Sequence, residues 1–571
     1  MVKFRLFILF AVLCSTAFAY QYPIKDVKGH HSASFAEMRP DHFHSGVDIK
    51  TDGVQGKRVV AAADGYISRI SHSPYGYGLA LYVTHPKRKS MTVYAHLSRF
   101  EDGVETFVRE YRYANSLNSL NITLLPHQFP VKAGDVIGYS GNTGNSFGPH
   151  LHYELRNSAG THTYNIVRKG LFRPVDKVAP QLLRLHYIEV DTINGVAVEG
   201  PLRTYAIKQS GKKFSVQGSV KVGRNGYLLL ECRDRQSSNA TSRFGVYRVC
   251  QRVEGRKIFE YRMDGFAFAD TKSCDLVSYY PLQRDAKCEV IRLAKMDAAP
   301  KYLYPTAVNR GAIGAKSGEK KSVTIEVEDD CGNISKLQFD IVGKSDNQLF
   351  TPVIDNAAEI AGAGRAVTIR DRAARVYIGS SVLYAPSYCR VQMTDNTPKI
   401  EGVEVLSPSA IFLDDDMPLN EKITVSIAAI VPQHLQTKCC MAIENSKGKY
   451  RYAGGYYVGG RVYCNTRKAG RMVVVADTTA PEVTPNWRSN ADLSAAKRIS
   501  FRVTDNFAGV DSYALWIDGE WKSLNYAPLQ STLYHTFDTP LASGKKSSHS
   551  LRLRVTDNVG NITIFEDKFY R

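Results

Sequence analysis

Histidine carries the chemistry this sequence advertises. Ten of the 15 histidines fall before residue 153, and two groups have ligand-like spacing: His44-Ser-Gly-Val-Asp48 and His150-Leu-His152. On a helix His44 and Asp48 would share a face, but Pro40 and Gly46 disfavour a helix there. On a straight strand they would also share a face, about 13 Å apart. One Zn2+ needs its ligands about 2 Å away. The chain must therefore bend between them, and Ser45-Gly46 is where it can. His150 and His152, two apart on a strand, project from one face with Cα atoms about 6.6 Å apart. One can bind a metal while the other stands beside it. Two His and one Asp make a three-ligand site with an open fourth position, the catalytic pattern rather than the closed structural one.

Further motifs surround these residues. His44-x3-Asp48, Tyr94-Ala-His96-Leu and Gly148-Pro-His150-Leu-His152-Tyr-Glu resemble, in that order, the lysostaphin/LytM-type zinc metallopeptidases. Gly134-Asp-Val-Ile-Gly-Tyr-Ser-Gly-Asn-Thr-Gly144 is similar to that family's glycine-rich strand and loop, and Val59-Val-Ala-Ala-Ala-Asp-Gly-Tyr-Ile to its early hairpin. The resemblance covers residues 35 to 156. It implies a small antiparallel β fold with a groove across the sheet, acting on peptides of bacterial peptidoglycan, in the stem or the cross-bridge. It further implies one Zn2+ per chain, held by His44, Asp48 and His152, with His150 and His96 as the catalytic histidines. In that scheme His150 takes the proton of a metal-activated water and His96 faces the developing oxyanion; the two roles are exchangeable. Activity is expected to fall towards pH 5, where both imidazoles charge.

Two departures stand out. Members of the family often carry a tyrosine six residues before the first ligand, where this chain has Met38. His96 and Gly134 are separated by 37 residues, longer than the usual link. The insertion, about 99–130, contains a helical pattern from Glu105 to Leu120 with Phe107, Tyr111, Ala114 and Leu117 near one face.

Other residues read more plainly. Arg39, His42, Asn142, Thr143 and Asn145 are candidates to line the groove and contact substrate, with Ser146 beside them in the same loop. For Arg39 a surface ion pair is the competing reading, and for the loop residues a glycine-rich turn. Glu154 could orient a histidine or the sheet. His85 reads as structural; His30, His31, His72 and His127 read as solvated or in loops.

The elements that must position these side chains are mainly β. Short alternating runs such as Leu79-Ala-Leu-Tyr-Val-Thr and Ser322-Val-Thr-Ile-Glu-Val have period two. Asp176-Lys-Val-Ala-Pro180 recurs as Asp477-Thr-Thr-Ala-Pro481. Val327-Glu-Asp-Asp-Cys-Gly-Asn-Ile-Ser335 recurs as Val555-Thr-Asp-Asn-Val-Gly-Asn-Ile-Thr563. Each Asp-Asp/Asn-x-Gly-Asn is a tight turn between apolar runs. The expected organisation is a signal peptide at 1–19, a peptidase domain at 20–176, Ig-like β modules at 177–345 and 479–571, and a β-sandwich at 346–478. The modules resemble accessory regions behind such peptidases in envelope proteins of Bacteroidetes-like bacteria. Their carboxylate-rich turns read as turn chemistry rather than calcium loops, because no loop has an EF-hand ligand series.

Composition fits an exported protein. Lys3 and Arg5, the apolar run Leu6–Leu13 and Ala17-Phe18-Ala19 make a secretory signal, too short in its apolar part to span a bilayer. Nine cysteines lie beyond residue 230, an odd number, in a compartment that permits disulfides. A net charge of +19 on an exported chain points away from nucleic acid and towards an anionic envelope. The function expected is an exported zinc endopeptidase of peptidoglycan in the periplasm, the cell envelope or outside the cell. Its modules would reach the wall or envelope proteins, and the mature chain has no transmembrane segment. The rival is a non-catalytic LytM-like activator of a cell-wall amidase; such domains lack ligands that this chain keeps.

Overall fold

A computed structural model describes residues 20–171, 174, 176–211, 213–237, 242, 244–362, 364–537 and 547–571. The signal-like segment lies outside them. The chain divides into two compact units. One comprises the described parts of Met1–Tyr111, Ser119–Glu189 and Pro201–Phe350; the other comprises those of Arg112–Asn118, Val190–Gly200 and Thr351–Arg571.

The first unit begins with an antiparallel sheet. Its strands are β1 (His31–Ala33), β2 (Val47–Lys50), β3 (Arg58–Val60), β4 (Gly65–His72), β5 (Leu79–His85), β6 (Ser90–Phe100), β7 (Leu120–Thr123), β8 (Pro130–Val131), β9 (Val136–Ser140), β10 (His150–Asn157) and β11 (His162–Tyr164). The main order is β1-β2-β10-β6-β5-β4-β7. The alternating runs behave as their period requires: Val47, Ile49, Leu81, Val83, Val93, Ala95, Leu151 and Tyr153 are fully or almost fully buried. The insertion is helical, but α1 spans Asp102–Ala114 and the chain is extended again by Leu120. Its buried positions include Val104 and Val108, whereas Tyr111 and Leu117 are exposed. The expected face therefore gives way to one set by the valines, one turn apart.

The peptidase-like sheet does not stand alone. Its strand β11 pairs with Gly265–Ala267 of the following module. Phe266 packs against Phe43 and Phe35, with ring centroids 5.3 and 5.6 Å apart. Such aromatic pairs contribute about 0.5–1.5 kcal/mol each beyond their buried area. The module itself is one connected strand network, because Arg203–Ser210 and Lys213–Val216 join its two halves. The Asp329–Asn333 turn joins Lys320–Glu328 to Ile334–Gly343, as the repeated motif predicts.

In the second unit, five- and six-stranded sheets enclose a core that includes Val425, Met441 and Val474. Two four-stranded sheets then close around Phe501, Leu515 and Leu553. All nine cysteines among the described residues are free thiols. Cys439 and Cys440 are neighbours on one strand and enter opposite cores, a consequence of strand alternation. No helix among the described residues is long and apolar enough to cross a membrane.

Candidate active site

Three adjacent strands bring the chemistry together. In the sheet register His152 of β10 lies opposite Asp48 of β2 on one side and Ala95, next to His96, of β6 on the other. His44 reaches the same point from the turn before β2. The bend required between His44 and Asp48 occurs at Gly46. A Cβ placed there would lie 2.3 Å from the Tyr153 carbonyl oxygen, so only glycine permits this approach to β10.

His44 Nε2, His152 Nδ1 and Asp48 Oδ1 lie 3.0, 2.9 and 3.1 Å from one another, pair by pair. The far side of each imidazole is anchored. His44 Nδ1 donates to the Ser34 carbonyl at 2.7 Å, and His152 Nε2 donates to Glu154 Oε1 at 2.8 Å. These anchors fix the tautomers of the neutral rings, leaving two nitrogen lone pairs and a carboxylate oxygen facing one point. Lone pairs that close repel unless a cation lies among them. The spacing is shorter than two metal–ligand bonds of about 2.0–2.2 Å, as shared coordination requires. The donor set fits a borderline transition metal such as zinc.

With protons in place of a cation, the same rings donate to Asp48. Burial alone would raise the Asp48 carboxyl, but the His44 charge and hydrogen bonds from His152 and His44 hold it well below the usual range. His152 is raised to about 9: burial opposes its charge, and Asp48 and Glu154 more than offset that. The cluster is thus built to hold positive charge.

Glu154 is fully buried and anchors this arrangement from behind. Its Oε1 accepts from His152, Ser45 Oγ and Tyr77 OH at 2.8, 2.6 and 2.5 Å, and its Oε2 accepts from Arg156 Nε at 2.5 Å. Burial opposes its ionisation, and the Arg156 and His152 charges hold it ionised. The Arg156 guanidinium stacks on Phe268 of the following module, 4.1 Å from the ring centroid. Of the two readings of Glu154, orienting a histidine is the one realised. Tyr77 and Arg156 carried no sequence signal and Ser45 only that of the bend, since each joins this network through tertiary contact.

His96 and His150 stand side by side, with ring centroids 4.7 Å apart. His96 has φ +59°, a left-handed conformation uncommon for a side-chain-bearing residue, at a register shift between β5 and β6. A bulge of this kind re-aims a side chain, and the strain is held where the ring is needed. His96 Nδ1 donates to the Thr143 carbonyl and His150 Nδ1 to the Gly148 carbonyl, both at 2.8 Å. Each neutral ring therefore presents a bare Nε2; that of His150 lies 3.6 Å from Asp48 Oδ1. Burial, followed by the charges of His150 and His152, lowers His96 to about 3. Burial thus works against the charging of His96 expected towards pH 5.

The remaining candidates separate. Arg39 is ion-paired with Glu37 at 3.5 Å and lies 3.9 Å from Asp48 Oδ2. His42 is half exposed and bonds Asp41. The Thr143 hydroxyl donates to the Leu97 carbonyl and accepts from Leu79 N, so it clamps the loop to the sheet. Asn142 accepts from Ser146, and Asn145 is exposed with its backbone N–H on Gly76. Ser146, a groove candidate with the other loop residues, lies 3.2 Å from His150 Nδ1. His85 is buried between the Asp64 carbonyl and Thr92 Oγ1, a structural role. His31 and His72 are corrected: both are buried in strands, not solvated.

Residues 42–165 match the model of Peptidase family M23, and residues 361–477 that of a Zu5-like domain. Over 114 residues the chain is 36% identical to a protein named DD-carboxypeptidase/endopeptidase Mpg from Neisseria meningitidis serogroup B, covering 20% of each. A protein named an uncharacterized metalloprotease, from Haemophilus influenzae, is 35% identical over 112 residues, covering 20% of this chain and 18% of that one. The chain thus spans about a fifth of the length of these curated relatives. The catalytic domain of lysostaphin from Staphylococcus simulans aligns at 23% identity with a TM-score of 0.18, over 25% of this chain and 91% of that domain. The chain carries an M23 peptidase domain.

Proposed function

We propose that this chain is an exported zinc endopeptidase that hydrolyses peptide bonds of bacterial peptidoglycan. One observation carries the reading: three converging lone-pair donors, His44, Asp48 and His152, lie beside two histidines whose free nitrogens are bare. A relative named for carboxypeptidase and endopeptidase activity supports the substrate class.

His44 and His152, oriented by Ser34 and Glu154, would hold the metal together with Asp48. When bound, zinc lowers the pKa of a water and polarises the scissile carbonyl. His150, bare at Nε2 and held by Gly148, accepts the proton of the attacking water and returns one to the leaving amine. His96 also presents an acceptor, and its low basicity keeps it so. It therefore orients the water by accepting a hydrogen bond, rather than donating to the oxyanion. This refines the roles implied by the family resemblance.

The test is digestion of purified sacculi. Loss of muropeptide dimers without new glycan ends, abolished by EDTA and by His152→Ala, is the expected result. Activity surviving both treatments would refute the reading. Intact sacculi combined with stimulation of a separate amidase would assign the chain to the activator class instead.

A further inference from the structure

A second convergence of carboxylates lies in the first unit, away from the histidines. Asp176, Asp234 and Asp329 come from three distant segments, and each offers an oxygen within 4.8 Å of the other two. That is the span across an oxygen shell of about 2.3–2.6 Å radius. Asp234 is 3% exposed, and its Oδ1 has no hydrogen-bond partner. A buried carboxylate oxygen without a donor costs free energy. Beside it is a cavity with about 20 Å³ of room for a water-sized sphere, lined by His31, Ser34, Val47, Asp176, Asp234 and Asp330, among others. That volume admits one water or one ion.

Charge points the same way. Asp330 adds a fourth carboxyl, whose Oδ1 accepts from Asn165 Nδ2. The nearby Arg168 guanidinium is paired with Glu328 Oε1 and the Asp330 carbonyl. Burial, then the Asp329 and Asp176 charges, push Asp234 up to about 9, and burial pushes Asp330 to about 7. A second trio, Asp477, Asp505 and Asp557, recurs at the entry to the last module, where Asp505 Oδ2 is likewise buried without a hydrogen-bond partner. There both oxygens of Asp477 accept from protein donors, Asn506 Nδ2, Thr479 N and Ala508 N.

We infer that Asp176, Asp234 and Asp329 bind one Ca2+ at the junction between the peptidase domain and the module that follows. Oxygen-only ligands select a hard cation over zinc. The turn reading of the sequence missed this site because its three carboxylates are contiguous only in space. The ion would brace the metal-bearing edge of the sheet. Ser34, on the cavity wall, accepts from His44 through its carbonyl and from Gly245 N through its hydroxyl. Val47, also on the wall, precedes the ligand Asp48. The inference does not depend on the hydrolase reading.

The test is equilibrium dialysis of the zinc-saturated full chain against radioactive Ca2+, with thermal unfolding in parallel. Asp234→Asn is expected to bind one Ca2+ fewer per chain than the wild type and to lose a Ca2+-dependent rise in Tm. Its Ca2+-free Tm should be unchanged or higher, because a buried carboxyl without a hydrogen-bond partner gives way to a neutral amide. Asp176→Asn, altered at a half-buried position, should give the same result and serves if Asp234→Asn fails to fold. Equal Ca2+ stoichiometry in the wild type and the folded variants, or no Ca2+ bound by the wild type, would overturn the assignment.

Discussion

The histidine trio and the aspartate trio of the first unit have the same size and opposite construction. His44 and His152 are anchored from behind by Ser34 and Glu154, so their free nitrogens are pre-aimed. Asp234 has an oxygen with no donor at all. The first trio mixes nitrogen with oxygen and leaves a position open for reaction; the second is all oxygen, enclosed, and suited to holding a fold together. Anchoring the far side of a ligand fixes its orientation and tunes its basicity, whereas a buried carboxylate cluster is satisfied by the ion itself.

The comparison can be broken most severely at the ligands. His152→Ala should abolish metal binding and lower sacculus digestion by about 10^4-fold or to background. His150→Ala should separate binding from chemistry: metal content is retained while the rate falls by about 10^2–10^4-fold. Metal analysis alongside the rate checks both.

The acid-rich junction should leave its mark on stability. Burial pushes Glu289, which accepts from Met38 N and Val246 N, up from 4.5 to about 7. Between those values the unfolded chain ionises this group and the folded chain keeps its proton. The folded state then binds more protons, so stability falls as pH rises from about 4.5 to about 7, by up to about 3 kcal/mol. Denaturant titrations across that window should show the decline in the wild type and a flatter profile in Glu289→Gln.

Two smaller effects sharpen the account of the histidine trio. Glu154→Gln should weaken metal affinity about 10–100-fold without removing a ligand, as measured by competition with a chelator. Gly46→Ala should lower stability by about 1–3 kcal/mol, since its Cβ would meet the Tyr153 carbonyl.

The sequence made the histidine trio legible because two of its spacings are local. The bend at Gly46 follows from ligand reach, and the shared face of His150 and His152 follows from strand alternation. The mainly β character around them was legible from runs of period two. The Glu154–Arg156–Tyr77–Ser45 network was not, because it is assembled across strands that no periodicity relates. The burial of His31 and His72 was hidden for the same reason. The α1 face was misjudged because its apolar residues exceed what one face can bury, and the valines win. The pairing of β11 with Gly265–Ala267 was also hidden. Modules separated by their motifs looked independent, yet they share a sheet edge.

The most direct test of the central claim is zinc stoichiometry, measured by plasma mass spectrometry, on the wild-type chain and on His152→Ala after dialysis. The account predicts one zinc per wild-type chain and none in the variant. Equal zinc content in the two would contradict it.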